Sequence, residues 1–207
     1  MSDRSPRAID LVPLTTLDQD TQLRILEIRN AESVREWMLS DHIISAEEHL
    51  AWIDRLPNDA SQIIFAVMGE GGEPLGGMGV TGIDRQHKRA EWTYYLAEAA
   101  RVGVGAALEY ALIQFVFDTL KLDKLNCEVI EGNEAVVKMH RKFLFQDEGF
   151  RRDNILKGGR RLGVYYLGLT CDEWQTQRHL VDAKYKGVFG KFAVAVHWPA
   201  GSSPGQD

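Results

Sequence analysis

The apolar positions along the chain change period several times, and each change predicts an element. Ala8 to Leu14 predicts a short strand, and Leu17 to Arg29 carries Leu23, Ile25, Leu26 and Ile28 at spacings compatible with a helix. A second helical stretch follows. The third opens on Ser45-Ala-Glu-Glu, a capping-box pattern, and repeats Leu50, Ile53 and Leu56 at spacing three before Pro57 stops it. Gln62 to Met68 reads as a buried strand, Glu70 to Pro74 with Gly71 and Gly72 as a turn, and Leu75 to Ile83 as a glycine-rich strand, so the pair predicts a hairpin. Ala90 to Leu96 is aromatic and β-prone and adds a third consecutive strand.

After Leu96 the period switches from two to 3.6. The segment Ala97 to Ala107 contains Gly103 and Gly105, and a long helix continues through Val104, Leu108, Ala111, Leu112, Phe115, Val116 and Leu120. The glycines therefore sit at a strand-to-helix junction. They remove side chains where the backbone must approach something closely, and the first-turn amides lack intrahelical acceptors, so the junction is an anion site. Gly103-Val-Gly105 is also part of a dinucleotide fingerprint, but the third glycine is replaced by Leu108 and the preceding strands read as a meander. No Gly-Lys-Ser/Thr exists, which excludes a Walker A loop. Lys124 to Ile130 then predicts a strand, Asn133 to His140 a helix, and Phe143 to Phe150 leads into another strand.

Charge sharpens the picture. The 207 residues carry a formal charge of −6, which argues against general nucleic-acid binding. The segment from Lys138 to Arg161 runs the other way, with eight basic and three acidic residues, and suits a small polyanionic ligand or a solvated hairpin. Cys127 and Cys171 are too few for a disulfide framework or zinc cluster and read as buried thiols; the histidines show no metal-ligand pattern, so no metal is expected. No stretch is long and apolar enough for a membrane helix, and the N-terminus lacks the apolar region of a secretory signal, so a cytoplasmic protein without a membrane partner is expected.

The order strand, glycine junction, helix, strand, Asn-led helix, strand resembles the GNAT acyltransferase superfamily, over roughly Leu11 to Leu169. Further likeness lies in Arg29-Asn30, Val34-Arg-Glu-Trp-Met38, His42-Ile-Ile-Ser45, Glu47-Glu-His-Leu50, Leu167-Gly-Leu-Thr170 and Glu173-Trp174. These look like the N-acetyltransferases of pseudaminic acid biosynthesis, which acetylate the 4-amino group of a UDP-linked amino-dideoxy sugar. The resemblance implies an α/β (α+β) fold with a mixed, mainly antiparallel sheet of about seven strands, flanked by helices and splayed in the middle for coenzyme A. It implies a domain over residues 8–174, with 175–207 as a helix and tail of uncertain role. Phe189, Phe192, Val194, Val196 and Trp198 could dock on the body or on a second subunit of a homodimer.

The resemblance implies acetyl-coenzyme A as cosubstrate, held by Leu96, Arg101, Val102, Gly103, Val104, Gly105, Ala106, Asn133 and Lys138. Ala100 stands where the superfamily usually has Gln or Arg, which shifts phosphate binding to backbone amides or to Arg101. Seven residues after Asn133, His140 occupies the place where the superfamily often has a tyrosine acid, and an imidazolium can protonate a leaving thiolate. Glu91 is a candidate base or proton relay. Arg29, His42, His49, Thr81 and Tyr94 are candidate contacts to a nucleotide-sugar substrate, with Arg29 able to bind a pyrophosphate bidentately. Along a strand, Glu91, Thr93 and Tyr95 share one face and Trp92, Tyr94 and Leu96 the other, so a bulge is needed for both sets to meet one pocket. Leu144-Phe145, where Gly-Phe is common, predicts a changed link to the following strand. An enzyme acting on a protein N-terminus, polyamine or antibiotic, and a coenzyme A-binding module without catalysis, are the alternatives.

Overall fold

The computed structural model describes residues 5–101 and 103–198. Strand β1 (Arg7–Pro13) leads into helix α1 (Gln19–Asn30), whose first turn is capped by Asp18 accepting from the Thr21 amide at 2.8 Å. A short helix α2 (Glu32–Arg35) and helix α3 (Ala46–Arg55) follow. The expected capping box at Ser45 is formed with Glu48, which satisfies two otherwise orphaned backbone donors. Strands β2 (Ile63–Met68), β3 (Pro74–Asp84) and β4 (Arg89–Leu96) make an antiparallel meander, as the hydrophobic runs predicted.

Helix α4 (Val104–Gln114) continues as a π-helical turn over Phe115–Thr119 before strand β5 (Lys124–Ile130). Helix α5 (Glu134–Lys142), strands β6 (Gln146–Lys157) and β7 (Arg160–Thr170), helix α6 (Cys171–Phe189) and strand β8 (Phe192–Val196) complete the chain. A second capping box, Thr170 with Glu173, starts α6.

The eight strands form one sheet in the order β6-β7-β5-β4-β3-β2-β1-β8, mostly antiparallel. The parallel pairs are β4 with β5 and β1 with β8. One face carries α4, α5 and α6 over a large core that includes Phe65, Leu108, Leu112, Phe143 and Trp174. The other carries α1 and α3 over a smaller core of Leu14, Ile25, Ile53, Leu56, Ala66 and Met68. With both faces covered, β2 is buried along almost its whole length, which is why its sequence is continuously apolar rather than alternating.

Within the segment 175–207, expected as a helix and tail, Phe192–Val196 forms strand β8, and 199–207 lie outside the described residues. Phe192 to Val196 runs parallel to Arg7 to Leu11, and Trp198 packs edge-on against Phe65 and Phe115. The segment thus docks on the body of its own chain. Its partner is almost the whole length of the chain away, so no local hairpin signal marks it. The link after α5 also departs from expectation: Leu144 adopts φ +74°, the left-handed conformation a glycine usually supplies, so the turn is kept despite the changed residue.

Between β3 and β4 the approach is close at Gly76, where an added Cβ would lie 2.0 Å from the Tyr95 carbonyl oxygen and 2.9 Å from Leu96 Cα. Both are backbone atoms, so β4 itself must move to admit a side chain. Gly76→Ala is expected to lower stability by about 2 kcal/mol, read as a lower urea midpoint at unchanged slope.

Candidate active site

Strands β4 and β5 pair only from Arg89 to Glu91 with Lys124 to Asn126. Beyond that point the two strands form no further ladder pairs. The gap opens into a cavity of about 800 Å³. Its walls include Trp92 to Leu96 of β4, Cys127 to Ile130 of β5, the first turn of α4 and the inner face of α5. The cavity occupies the split itself, so residues from both faces of β4 line it. The β3–β4 register is continuous from Gly76–Leu96 to Thr81–Glu91. The bulge expected from strand alternation is therefore not required.

At one end the cavity meets the start of α4. Gly103, at φ +83°, is the N-cap, and no side chain caps the first turn, whereas Asp18, Ser45 and Thr170 cap α1, α3 and α6. Gly105 faces the space between Tyr94 and Met139: a Cβ there would stand 3.7 Å from the Tyr94 hydroxyl and 3.8 Å from Met139 Sδ. Gly103, Gly105, Ala106, Leu96, Arg101 and Asn133 all line the cavity. This end fits a diphosphate followed by a narrow chain, since amides and a helix dipole meet an unobstructed wall. Arg101 is already engaged, donating from Nε to the Leu96 carbonyl at 3.2 Å and from Nη2 to the Ser33 carbonyl at 2.7 Å. Val104 points into the core, Lys138 is exposed on α5 away from the cavity, and Val102 lies outside the described residues.

The cavity also meets a buried pair: His140, expected from the sequence as the acid, and Glu109, which sequence reasoning missed. His140 Nδ1 lies 2.8 Å from Glu109 Oε1, with the residues 3% and 0% exposed. The second carboxylate oxygen of Glu109 has no protein partner. Burial pushes the Glu109 carboxyl above its ordinary value, and His140 opposes that shift. His140 lines the cavity and is fixed by the edge of Trp92, 5.1 Å between centroids, and by Phe145. Burial also pushes the Cys127 thiol well up, with Glu109 adding to it, so Cys127 is not poised as a thiolate nucleophile.

The side of the split away from the large core is acidic: Glu91, Thr93 and Glu128 line it with Thr81, and Trp37, Met38 and Leu39 from the loop after α2 add apolar wall. Burial pushes the Glu128 carboxyl up, with the neighbouring Glu91 adding to it and Arg151 opposing. The loop is clasped from above by Lys157, whose ammonium donates to the Arg35 carbonyl at 2.6 Å and to the Glu36 carbonyl at 2.8 Å. Two more of the eight basic residues of the segment are engaged: Arg141 pairs with Asp147, and Arg151 stacks on Tyr166 at 4.4 Å. Of the remaining basic residues of the segment, Lys142 lines the cavity.

Of the expected substrate contacts, Tyr94 and Thr81 line the cavity, whereas Arg29, His42 and His49 do not. His49 is buried with a ring nitrogen 3.1 Å from the Gln22 carbonyl, and His42 is an exposed partner of Glu48. Arg29 is half-buried behind Tyr95, whose hydroxyl burial pushes up to about 12 with Arg29 opposing. Its Nη1 has no protein partner. Cys171 is half-buried at the start of α6, apart from the cavity.

Sequence comparison supplies the class to which this split sheet and glycine-started helix belong. The family described as "Acetyltransferase (GNAT) domain" matches residues 9–146, and the chain belongs to this acetyltransferase family. It is similar to acetyltransferase PseH of Campylobacter jejuni subsp. jejuni serotype O:23/36, 28% identical over 142 residues, covering 68% of this chain and 87% of that protein. It is also similar to an uncharacterized N-acetyltransferase p20 of Bacillus licheniformis, 32% identical over 110 residues, covering 52% of this chain and 61% of that one. Among solved structures, a spermidine N-acetyltransferase from Vibrio cholerae in complex with CoA and spermine superposes with a TM-score of 0.75 at 18% identity, covering 81% of this chain and 98% of that one. Among the described residues, no helix is long and apolar enough to cross a membrane.

Proposed function

We propose that this acetyltransferase moves acetyl from acetyl-coenzyme A to a primary amine of a small molecule, in the cavity between β4 and β5. The observation that carries the reading is that one cavity is lined both by an uncapped helix start and by two carboxylates, Glu91 and Glu128. The diphosphate would rest on the amides of residues 103 to 106, and the pantetheine arm would run along Leu96 and Met139. The incoming ammonium would be drawn to Glu91 and Glu128. Glu91, the more exposed of the two, is suited to pass the ammonium proton to water. His140 is the group placed to protonate the sulfur as the C–S bond breaks. Holding amine and thioester in one walled slot supplies much of the rate.

Within that reading, the acceptor we favour is the 4-amino group of a UDP-linked amino-dideoxy sugar. The support is the sequence likeness to two PseH acetyltransferases, each 28% identical, one of them over 87% of its length. A polyamine is the second reading, favoured by the carboxylate pair. Incubating the protein with acetyl-coenzyme A and either the UDP-4-amino sugar or spermidine, and following free thiol, tests both. Release with the sugar alone supports the first reading. Release with spermidine alone supports the second, and release with neither, across neutral and alkaline pH, overturns acetyl transfer to either acceptor.

Glu128→Gln is expected to raise KM for the amine several-fold with little change in kcat, by removing one of two charges that attract the ammonium. The pH dependence has a definite sign. A carboxyl raised by burial takes up its proton earlier as pH falls, so amine KM in the native protein should rise at a higher pH than an ordinary carboxylate would dictate. KM against pH for the native protein and the variant checks both points.

A further inference from the structure

Resting on the acetyl-transfer reading, we infer that Glu109 and His140 work as one proton-donating unit, with His140 as the group that touches the leaving sulfur and Glu109 as its positioning residue. The geometry is a 2.8 Å contact from Nδ1 to a carboxylate that is fully enclosed, on a histidine that lines the cavity. With Nδ1 held by Glu109, Nε2 is the nitrogen left to serve the cavity.

Four elements place titratable groups against Glu109: Tyr94 from β4, Cys127 from β5, His140 from α5 and Tyr185 from α6. None of these but His140 becomes a cation, so His140 alone can neutralise an ionised Glu109 from among them. The loaded pair therefore has two equivalent descriptions. Either an imidazolium faces a carboxylate, or a neutral imidazole accepts from a carboxylic acid; both carry the proton on Nε2. Losing that proton leaves a net negative charge between α4, β4, β5 and α6, which burial opposes. The pair is thus a proton store aimed at the cavity.

The transfer balances. As the C–S bond breaks, the Nε2 proton goes to the coenzyme A sulfur, giving the thiol, and the pair is left as an Nδ1-protonated imidazole donating to the Glu109 carboxylate. The amine loses one proton to solvent as the amide forms, and the pair regains one from solvent. No further reactant is needed.

Glu109→Gln is the informative change, because the amide oxygen still accepts from Nδ1–H while the second proton has nowhere to reside. At neutral pH the variant's imidazole should therefore be Nδ1-protonated with Nε2 bare. Turnover at saturating substrates should fall roughly 10–100-fold at pH 8, with KM for acetyl-coenzyme A within about two-fold, and should recover at lower pH as the imidazolium forms. The double variant Glu109→Gln/His140→Gln should be no slower than the slower single one, as for residues acting together. Multiplicative losses, or a pH profile unmoved by Glu109→Gln, would overturn the pairing. A readout independent of turnover is ¹⁵N NMR of histidine-labelled native protein at pH 7. The pairing predicts a protonated Nε2 for His140, and a bare Nε2 would overturn it even if Glu109→Gln fails to fold or no acceptor is turned over. Thiol release absent with every amine, alongside a protonated Nε2, would instead count against the acetyl-transfer reading.

Discussion

His140→Ala is expected to lower the turnover number about 100-fold while leaving acetyl-coenzyme A affinity within about three-fold. The asymmetry follows from where the ring sits. It lies in the middle of the cavity on the inner face of α5, whereas the glycine-started turn of α4 that would bear the diphosphate is formed by Gly103 to Ala106. Deleting the ring removes a donor needed only as sulfur departs, so binding survives and chemistry does not. The same deletion leaves Glu109 enclosed without its partner, which is expected to lower stability by about 3 kcal/mol. Turnover must therefore be measured at a temperature where near-ultraviolet circular dichroism shows the native fold. Steady-state kinetics at saturating substrates checks the point, and a turnover number within two-fold of the native protein would remove His140 as the acid.

Gly105→Leu carries the largest expected effect on binding. Around the added Cβ, Tyr94 and Met139 are at ordinary contact distance, so the backbone accepts the side chain without strain. The outer carbons of leucine must then enter the cavity beside the first-turn amides, where the diphosphate would rest. Coenzyme A affinity is expected to fall at least about 100-fold, since a displaced diphosphate forfeits several charge-assisted hydrogen bonds. Leucine also favours the helix over glycine by about 0.5–1 kcal/mol. The variant should therefore melt no lower than the native protein, which separates lost binding from lost folding.

These outcomes depend on features that were legible in the sequence to different degrees. The meander β2-β3-β4, the capping box at Ser45 and the glycine junction at 103–105 are local: each is written within a dozen residues, and each appears where the pattern places it. The split between β4 and β5 is not local, because it depends on where a parallel ladder stops. Strand β8 was unreadable for the same reason, its partner being at the other end of the chain.

The site was harder to read than the fold. Glu109 sits on α4 in one stripe with Leu112 and Val116, four residues after Gly105, and a carboxylate on an apolar face was the available signal. The basic surplus from Lys138 to Arg161 divides in the structure in a way no count shows. Counting charges cannot tell that Arg141 faces Asp147 or that Lys157 is bound to backbone carbonyls. Arg29 and His49 do not line the cavity, and their spacing along the chain carried no sign of that.

Acetyl transfer in this cavity requires the start of α4 to receive the diphosphate of the acyl carrier between the diverging strands. Isothermal titration of coenzyme A into the native protein and into Gly105→Leu, side by side, tests this most directly. Saturable one-to-one binding to the native chain, lost in a variant of undiminished melting temperature, is the predicted result. Equal affinity for both proteins, or no heat with either, would contradict it.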